Sequence, residues 1–251
     1  MDFVKVEGLG NDVITIIEPI DPNPDQIVAW CARHTGVGAD GVLEMTPIDA
    51  TRVRMRYWNA DGGEVEMCGN GLRCIALLAL TDGYVDGAEF VVESAVGDHP
   101  VSVRDDGSVK AFVGVPHAFR TEEMIVAGHT VRPVGVGNPH AVLYVDNVEE
   151  TAVAEIGPRI GSDPIFPDGA NVEFVATTGE DRIRVRVWER GVGETTGSGT
   201  GAAASAFAKR ATDGLGDAIT VELPGGDLLV EFDDAGAWMT GPARIVYRGE
   251  L

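Results

Sequence analysis

Apolar and charged residues alternate strictly in two short segments, residues 51–58 and 182–188. A period of two is typical of a strand that buries one face. A glycine-rich turn follows each strand, and then an alanine-rich apolar run, residues 70–81 and 200–211, with the length of a buried helix. The hydrophobic pattern therefore predicts the same strand, turn and helix twice.

Other elements fill the rest of the chain. Helices are predicted at 24–34, where Pro24 suits a first turn, and at 149–156. Asp105-Asp106-Gly107 has the residues of a hairpin turn. Further strands are predicted from β-branched and alternating runs: residues 3–7, 13–18, 41–46, 89–93, 101–104, 109–115, 141–145, 172–177, 219–223, 228–232 and 243–247. Each half of the chain thus has a mixture of α and β structure.

The two segments also match in sequence. RVRMRYWNADGGEVEMCGNGLRCIA (52–76) aligns without a gap on RIRVRVWERGVGETTGSGTGAAASA (182–206), at an offset of 130 residues and with nine of 25 positions identical. Unrelated segments share roughly two. GLGN (8–11) also matches GVGN (135–138), and GAD (38–40) matches GAN (169–171) more weakly.

This repeat predicts one domain that was duplicated and fused. The period is far too long for a solenoid. We expect halves at residues 1–117 and 118–240, with the boundary in the segment from Pro116 to Arg120. Similar halves normally face each other across a cleft, where matching loops can hold a ligand.

Charge narrows the choice of partners. Acidic residues outnumber basic ones 40 to 19 in a chain of 251 residues, for a formal charge of −21. Nucleic acids and anionic membranes attract basic patches, so neither is an expected partner. The start of the chain lacks the pattern of a secretory signal, and no apolar run reaches the roughly 18 residues that span a bilayer, so we expect a cytoplasmic protein. The acidic, lysine-poor composition fits a high-salt cytoplasm and an ordinary acidic protein equally well.

Three cysteines do not form a disulfide framework in a chain of this length. The sequence contains neither CxxC nor HExxH, and its histidines are scattered, so no metal is expected. Cys31 and Cys74 lie in apolar helical stretches and are interpreted as core residues. Cys68 differs, because it directly precedes Gly69-Asn70-Gly71 at the start of a predicted helix.

A helix N-terminus offers backbone N–H groups to anions and lowers the pKa of a thiol placed there. The turn at Cys68 therefore combines a candidate thiolate base with a site for a carboxylate. Ser198, followed by Gly199 and Thr200, takes the equivalent place in the second half. The alternatives are a core cysteine and a serine that only caps its helix.

Two groups presented to opposite faces of one carbon can invert it, because one removes a proton and the other returns it. Pyridoxal phosphate is the usual alternative for stabilising an amino-acid carbanion, and it requires a lysine. Lys5, Lys110 and Lys209 lie in a predicted strand, hairpin and helix rather than in a polar turn. A route without cofactor is favoured.

Polar loop residues could hold the rest of a ligand. Asn11, Asn59, Asn138 and Asn171 lie in turns, where asparagine is also common for backbone reasons. Glu189 with Arg190 can bind an ammonium and a carboxylate together, although a surface ion pair is the commoner role. His140 is interpreted as a loop histidine rather than a base.

The motifs together resemble a known family. GLGND (8–12), GVGADG (36–41), NADGGEVEMCGNGLRC (59–74), GNPH (137–140), GANVEF (169–174) and ERGVGETTGSGTGA (189–202) are similar, in order and along the whole chain, to diaminopimelate epimerases. The block around Cys68 is the most specific.

The resemblance implies an α/β (α+β) fold of two pseudo-symmetric halves, each with mostly antiparallel strands around a central helix. It implies that a C-terminal strand, within 241–251, returns to the first half. It implies epimerisation of LL- and meso-diaminopimelate in lysine biosynthesis, without cofactor or metal, and a possible homodimer.

It also implies residue roles. Cys68 matches one catalytic cysteine, and Ser198 stands where the family has the second. The carboxylate at the reacting carbon would bind Gly69, Asn70, Gly199 and Thr200. The remaining substrate groups would bind Asn11, Asn59, Asn138, Asn171, Glu189 and Arg190, with His140 beside the site.

Ser198 is the main departure, because a hydroxyl is a far weaker acid than a thiol. Three explanations stand: an engineered substitution, a natural serine or water that relays the proton more slowly, or drift to a one-base reaction. A related amino-acid racemase or dehydratase, and a form that binds substrate with impaired catalysis, are therefore the alternative functions. Gly62-Gly63, where the family usually has Gly-Ser, is a smaller departure.

Overall fold

A computed structural model of the chain describes residues 1–119 and 123–251. They form two compact units, residues 1–112 together with 240–251, and residues 113–239. Arg120, the last residue of the segment where the sequence places the boundary, lies outside the described residues.

The first unit contains two helices and the strands that surround them. The elements are β1 (Asp2–Gly8), β2 (Asn11–Ile16), α1 (Pro24–Cys31), β3 (Gly41–Asp49), β4 (Arg52–Asn59), β5 (Glu64–Val65), α2 (Gly69–Thr81), β6 (Glu89–Ser94), β7 (Gly97–Val103), β8 (Val109–Gly114) and, near the C-terminus, β19 (Arg244–Glu250). The strands pair in the order β19, β1, β2, β3, β4, β6, β7, β8, with β2–β3 and β4–β6 parallel and the other pairs antiparallel. The helix α2 packs against six of these strands and carries the apolar core of the unit.

The second unit repeats this plan. Its elements are β9 (His117–Ala118), β10 (Met124–Val126), β11 (His129–Gly135), β12 (Pro139–Tyr144), α3 (Val153–Gly161), β13 (Asn171–Gly179), β14 (Arg182–Glu189), β15 (Gly193–Thr195), α4 (Gly199–Asp213), β16 (Ala218–Leu223), β17 (Gly226–Asp233) and β18 (Gly236–Gly241). The strands pair in the order β11, β12, β13, β14, β16, β17, with β12–β13 and β14–β16 parallel. The helix α4 packs against all six of these strands, as α2 does in the first unit.

The predicted fold class, mostly antiparallel strands around a central helix in each of two similar units, is confirmed. The repeated strand and helix occur as β4 with α2 and as β14 with α4. The hairpin turn at Asp105–Gly107 is also present, with Gly107 at a φ of 80°.

Some boundaries predicted from the sequence are wrong. The helix predicted at 149–156 begins only at Val153, because the side chain of Asn147 accepts a hydrogen bond from the Glu149 amide and holds a turn there. The helix predicted at 24–34 ends at Cys31, where Ala32 adopts an extended backbone. The strands β10, β11 and β18 were not predicted, because Pro133 interrupts the pattern of β11 and glycines bound the short run of β18.

Candidate active site

Cys68 is the N-cap of α2. Its backbone is extended, with φ −131° and ψ 115°, and its Sγ accepts a hydrogen bond from the Gly71 amide at 3.4 Å. The side chain is half-buried. A Cβ at Gly71 would come within 3.3 Å of the Cys68 Cβ, so a glycine there lets the thiol fold onto the helix end. A hydrogen bond from N–H and the positive end of the helix both favour the thiolate.

Ser198 is the N-cap of α4 and repeats this geometry. Its φ is −136° and its ψ 118°, and its Oγ accepts from the Gly201 amide at 3.2 Å. It is buried, with 6% of its surface exposed. Ser198 therefore does cap its helix, and it also places a hydroxyl where the first unit places a thiol.

The two residues after each cap are the expected carboxylate site. Gly69 and Asn70 begin α2, and Gly199 and Thr200 begin α4, and all four are buried. The first backbone N–H groups of a helix have no partner within the helix, so they can donate to an anion. Each unit therefore offers the same anion-binding helix end.

Glu189 links the end of β14 to α4. Its Oε1 accepts a hydrogen bond from the Thr195 hydroxyl at 2.9 Å, and the Ser198 hydroxyl lies close enough to this carboxyl to favour its charged form slightly. Burial raises the pKa of Glu189, and the Thr195 hydrogen bond opposes the shift only in part. Glu189 therefore lies near the residue that stands in place of the second family cysteine.

His140 is completely buried and uses both ring nitrogens. Nδ1 lies 2.7 Å from the Oε1 of Glu173, and Nε2 lies 2.8 Å from the Oδ1 of Asn138. The parallel register places His140 opposite Asn171, so Glu173, two residues further on, projects from the same face of the sheet. His140 is thus hydrogen-bonded on both sides, as expected of a structural histidine, but it lies in the strand β12 and not in a loop as predicted.

Asn171 and Arg190 form a second contact in this unit. The Oδ1 of Asn171 accepts from the Arg190 amide at 2.8 Å, and the Arg190 guanidinium donates to the Asp168 carbonyl at 2.8 Å. Arg190 itself is exposed. The second unit therefore brings together all the site residues predicted in it: Asn138, His140, Asn171, Glu189, Arg190, Ser198, Gly199 and Thr200.

Asn11 lies at the start of β2 within an ionic cluster. Its Nδ2 donates to the Oδ2 of Asp40 at 3.3 Å, and its Oδ1 is buried without a hydrogen-bond partner among the described residues. Arg33 binds Asp40 at 2.6 Å and Asp12 at 2.8 Å, and Lys5 binds Asp12 at 2.7 Å. These charges fix the loop that carries Asn11, and they were not predicted because they come from segments that are separate in the sequence.

Asn59, the last residue of β4, donates its backbone N–H to the Gly63 carbonyl at 2.9 Å. It lies opposite Gly41, which is itself opposite Val13 in the neighbouring strand β2, near Asn11. Both predicted asparagines of the first unit therefore lie at the same end of the strands β2, β3 and β4.

Arg73 is a further residue beside the site that the sequence pattern does not predict. It is fully buried in α2, and its Nη2 donates to the Oδ1 of Asn70 at 2.8 Å. Its Nε donates to the Pro242 carbonyl at 3.1 Å. In the sequence, Arg73 is a single polar residue between Leu72 and Cys74 in an apolar helix. Hydrophobic periodicity therefore does not indicate that its side chain orients Asn70.

The other two cysteines have a different environment. Burial raises the pKa of Cys31 to about 11 and that of Cys74 to about 12. Within the described residues there is no cluster of histidine, cysteine and acidic side chains that fits a metal ion. No helix in this part of the chain has the length and apolar character to cross a membrane.

The diaminopimelate epimerase family model matches residues 3–118 and 133–246. The chain is 38% identical to the diaminopimelate epimerase of Moorella thermoacetica, with 100% of this chain and 99% of that protein covered. It is 41% identical to the diaminopimelate epimerase of Halorhodospira halophila, with coverage of 100% and 95%.

Solved structures show the same fold at low identity. A probable proline racemase from Agrobacterium radiobacter K84 has a TM-score of 0.78 at 13% identity, covering 100% of this chain and 92% of that one. A PhzF-family phenazine biosynthesis protein from Bacillus anthracis has a TM-score of 0.77 at 15% identity, with coverage of 100% and 98%.

Proposed function

The chain belongs to the diaminopimelate epimerase family, and from this premise we propose that it is an isomerase that interconverts LL- and meso-diaminopimelate. The reaction places it in lysine biosynthesis. The observation that carries the proposal is the pair of matching helix N-termini, each with a side chain that accepts a hydrogen bond at its cap.

Cys68 is the first catalytic residue in this proposal. As a thiolate it removes the proton from the α-carbon, and the electron pair delocalises into the adjacent carboxylate. The amides that begin α2 and α4, together with Asn70 and Thr200, would bind that carboxylate and stabilise the growing negative charge.

The family resemblance assigns the other face of the α-carbon to the position of Ser198, and Glu189 lies near Ser198 in the same unit. A serine hydroxyl does not hold a negative charge near neutral pH, so Ser198 alone is a poor base. The nearby Glu189, whose pKa burial raises, supports a relay in which the carboxyl supplies or accepts the proton through the hydroxyl. Return of the proton to this face of the carbanion completes the inversion.

The remaining site residues would bind the rest of the substrate. We assign Asn11, Asn59, Asn138, Asn171, Glu189 and Arg190 to its ammonium and carboxylate groups. Glu189 would both exchange a proton with its neighbour Ser198 and bind a substrate ammonium. We further propose that the reaction needs no pyridoxal phosphate, and that the protein acts in the cytoplasm, with a homodimer as its expected assembly.

Proton exchange tests the function directly. Incubation with LL- and with meso-diaminopimelate in heavy water should introduce deuterium at the α-carbon and convert each isomer to the other, as measured by NMR and chiral chromatography. Absence of both exchange and conversion would rule out the proposed activity.

Ser198 favours a second candidate, a one-base reaction of a related racemase or dehydratase type. In that case Cys68 would exchange the α-proton of one isomer without inversion. Exchange confined to one isomer, or turnover of another amino acid such as proline, hydroxyproline or histidine, would support this alternative. If calorimetry shows binding without exchange of either isomer, the chain is a binding-competent form with impaired catalysis.

A further inference from the structure

The two asparagines of the shared GxGN motif have opposite hydrogen-bond environments. Asn11 uses its Nδ2 to donate to Asp40, which leaves the buried Oδ1 without a partner among the described residues. Asn138 uses its Oδ1, 2.8 Å from the Nε2 of His140, which leaves Nδ2 to donate. Equivalent residues of the repeat therefore present an acceptor in one unit and a donor in the other.

The difference arises from a pair of buried side chains next to the motif, which differs between the two units. His140 and Glu173 of the second unit stand where the first unit has Val13 and Leu43. The equivalence holds in space, because a Cβ at Gly71 would contact the Cδ2 of Leu43 at 3.3 Å, while a Cβ at Gly201 would contact the Oε1 of Glu173 at 2.9 Å. The N-terminus of α2 therefore packs on an apolar side chain, whereas the N-terminus of α4 packs on a polar pair.

The protonation of this pair decides which way the Asn138 amide faces. An ionised Glu173 beside a neutral His140 would leave a net negative charge in a fully buried place, which is costly. One additional proton, on Nδ1 or on the Oε1 of Glu173, makes the pair neutral overall, and Nε2 then carries a hydrogen in both arrangements. A proton on Oε2 is disfavoured, since that atom has no hydrogen-bond partner in the described structure.

An Nε2–H group requires an acceptor, and the Oδ1 of Asn138 supplies it. Neutrality has a second effect. A net negative charge beneath the first turn of α4 would repel a substrate carboxylate from the helix end, and the neutral pair avoids this.

We propose that Glu173 is a positioning residue that, through His140, holds the Asn138 side-chain amide as a hydrogen-bond donor to a substrate carboxylate. The proposal rests on the proposed epimerase function for the identity of that ligand. Asn11, held the other way by Asp40, is the matching acceptor for a substrate ammonium.

Three variants test it. Glu173→Gln imitates the protonated acid, because its amide can donate to Nδ1 and keep Nε2–H, so KM should stay within about twofold of the wild type. Glu173→Leu, with the residue found at the equivalent position of the first unit, removes the partner of Nδ1. It should raise KM about tenfold and change kcat less, because a binding group has lost its orientation.

The double variant His140→Val/Glu173→Leu separates orientation from stability. It reproduces the apolar pair of the first unit, so it should recover thermal stability lost in Glu173→Leu while its KM remains high. A wild-type KM in Glu173→Leu or in the double variant would overturn the proposal.

A measurement without substrate keeps the proposal distinct from the function. In ¹⁵N-histidine NMR of the full chain, the wild type and Glu173→Gln should show a proton on His140 Nε2. In Glu173→Leu that proton should be lost or exchange faster. If the wild type fails to epimerise diaminopimelate but keeps this signal, the proposed function is wrong and the positioning role of Glu173 is retained. If Nε2 of the wild type carries no proton, the positioning role is wrong whatever the activity.

Discussion

The three cysteines of this chain differ in what surrounds each sulfur atom. Cys74 lies in the core of α2 and Cys31 at the buried end of α1, and burial raises the pKa of both thiols. Cys68, six residues before Cys74, is half-buried at a helix N-terminus and accepts a backbone hydrogen bond. Sequence position relative to the helix start predicted this difference, because an N-cap is a local feature.

Alkylation should therefore select Cys68. We expect iodoacetamide at pH 8 to modify one cysteine in the folded protein, with loss of α-proton exchange in step with labelling, since the thiolate is the reactive form. Cys68→Ala should remain unlabelled and lose about 10³-fold or more in exchange rate. Mass spectrometry of peptides identifies the site, and labelling of Cys31 or Cys74 at a similar rate would contradict the assignment.

Replacing Ser198 tests the second face. Ser198→Cys restores an acidic group at the cap of α4, so epimerisation should become roughly ten- to a hundredfold faster. Ser205→Cys is a matched control, because it makes the same exchange at a fully buried position of the same helix and should leave the rate unchanged. An unchanged rate in Ser198→Cys would argue against a proton-transfer role for this position.

At the scale of elements, periodicity and the repeat predicted the strands and helices that carry both caps. What they did not predict depends on strand register. His140 meets Glu173 only because β12 and β13 are parallel and in a particular alignment, and nothing local in GNPH or GANVEF specifies that contact. The same holds for Lys5, Asp12 and Asp40, whose charges sit on three separate segments.

The cluster around Asp12 should contribute to the stability of the first unit. Burial alone would raise the pKa of Asp12, but hydrogen bonds from Arg33 and Lys5 outweigh burial and lower it to about 2. A lowered folded-state pKa stabilises the protein above the unfolded value near 3.8, and this contribution is lost as the pH falls toward 2. Asp12→Asn should therefore cost about 2 kcal/mol of unfolding free energy at pH 7.

Denaturant unfolding of the wild type and Asp12→Asn at several pH values measures this effect. The difference between the two proteins should be constant above pH 5 and shrink between pH 4 and pH 2. The exposed Asp146→Asn provides a control without that dependence. A difference that grew on acidification would show that Asp12 is not ionised in the folded state.

At the scale of the whole molecule, the two units have matching strands and helices but bury different charged side chains. The first unit buries the Arg73 guanidinium in its central helix, where the second has Ala203. The second buries Glu173 with His140, where the first has Leu43 and Val13. Because the strands and helices match, the repeat in sequence was sufficient to predict two similar halves of mixed α and β structure, whereas the arrangement of antiparallel strands around a central helix was implied by the family resemblance. The exchanged residues give the two helix ends different surroundings.

The net charge of −21 is a property of the whole molecule, and it predicts that salt stabilises the folded state. Self-repulsion of an acidic surface destabilises the compact state, and the screening length falls from about 10 Å at 0.1 M salt to about 3 Å at 1 M. The thermal unfolding midpoint should rise by about 5 °C or more between 0.1 and 1 M KCl, as followed by circular dichroism. A variant with lysine at the exposed positions Asp105, Asp146 and Glu180 carries less negative charge, so its midpoint should respond less to salt. An equal response in both proteins would mean that salt acts through something other than charge repulsion.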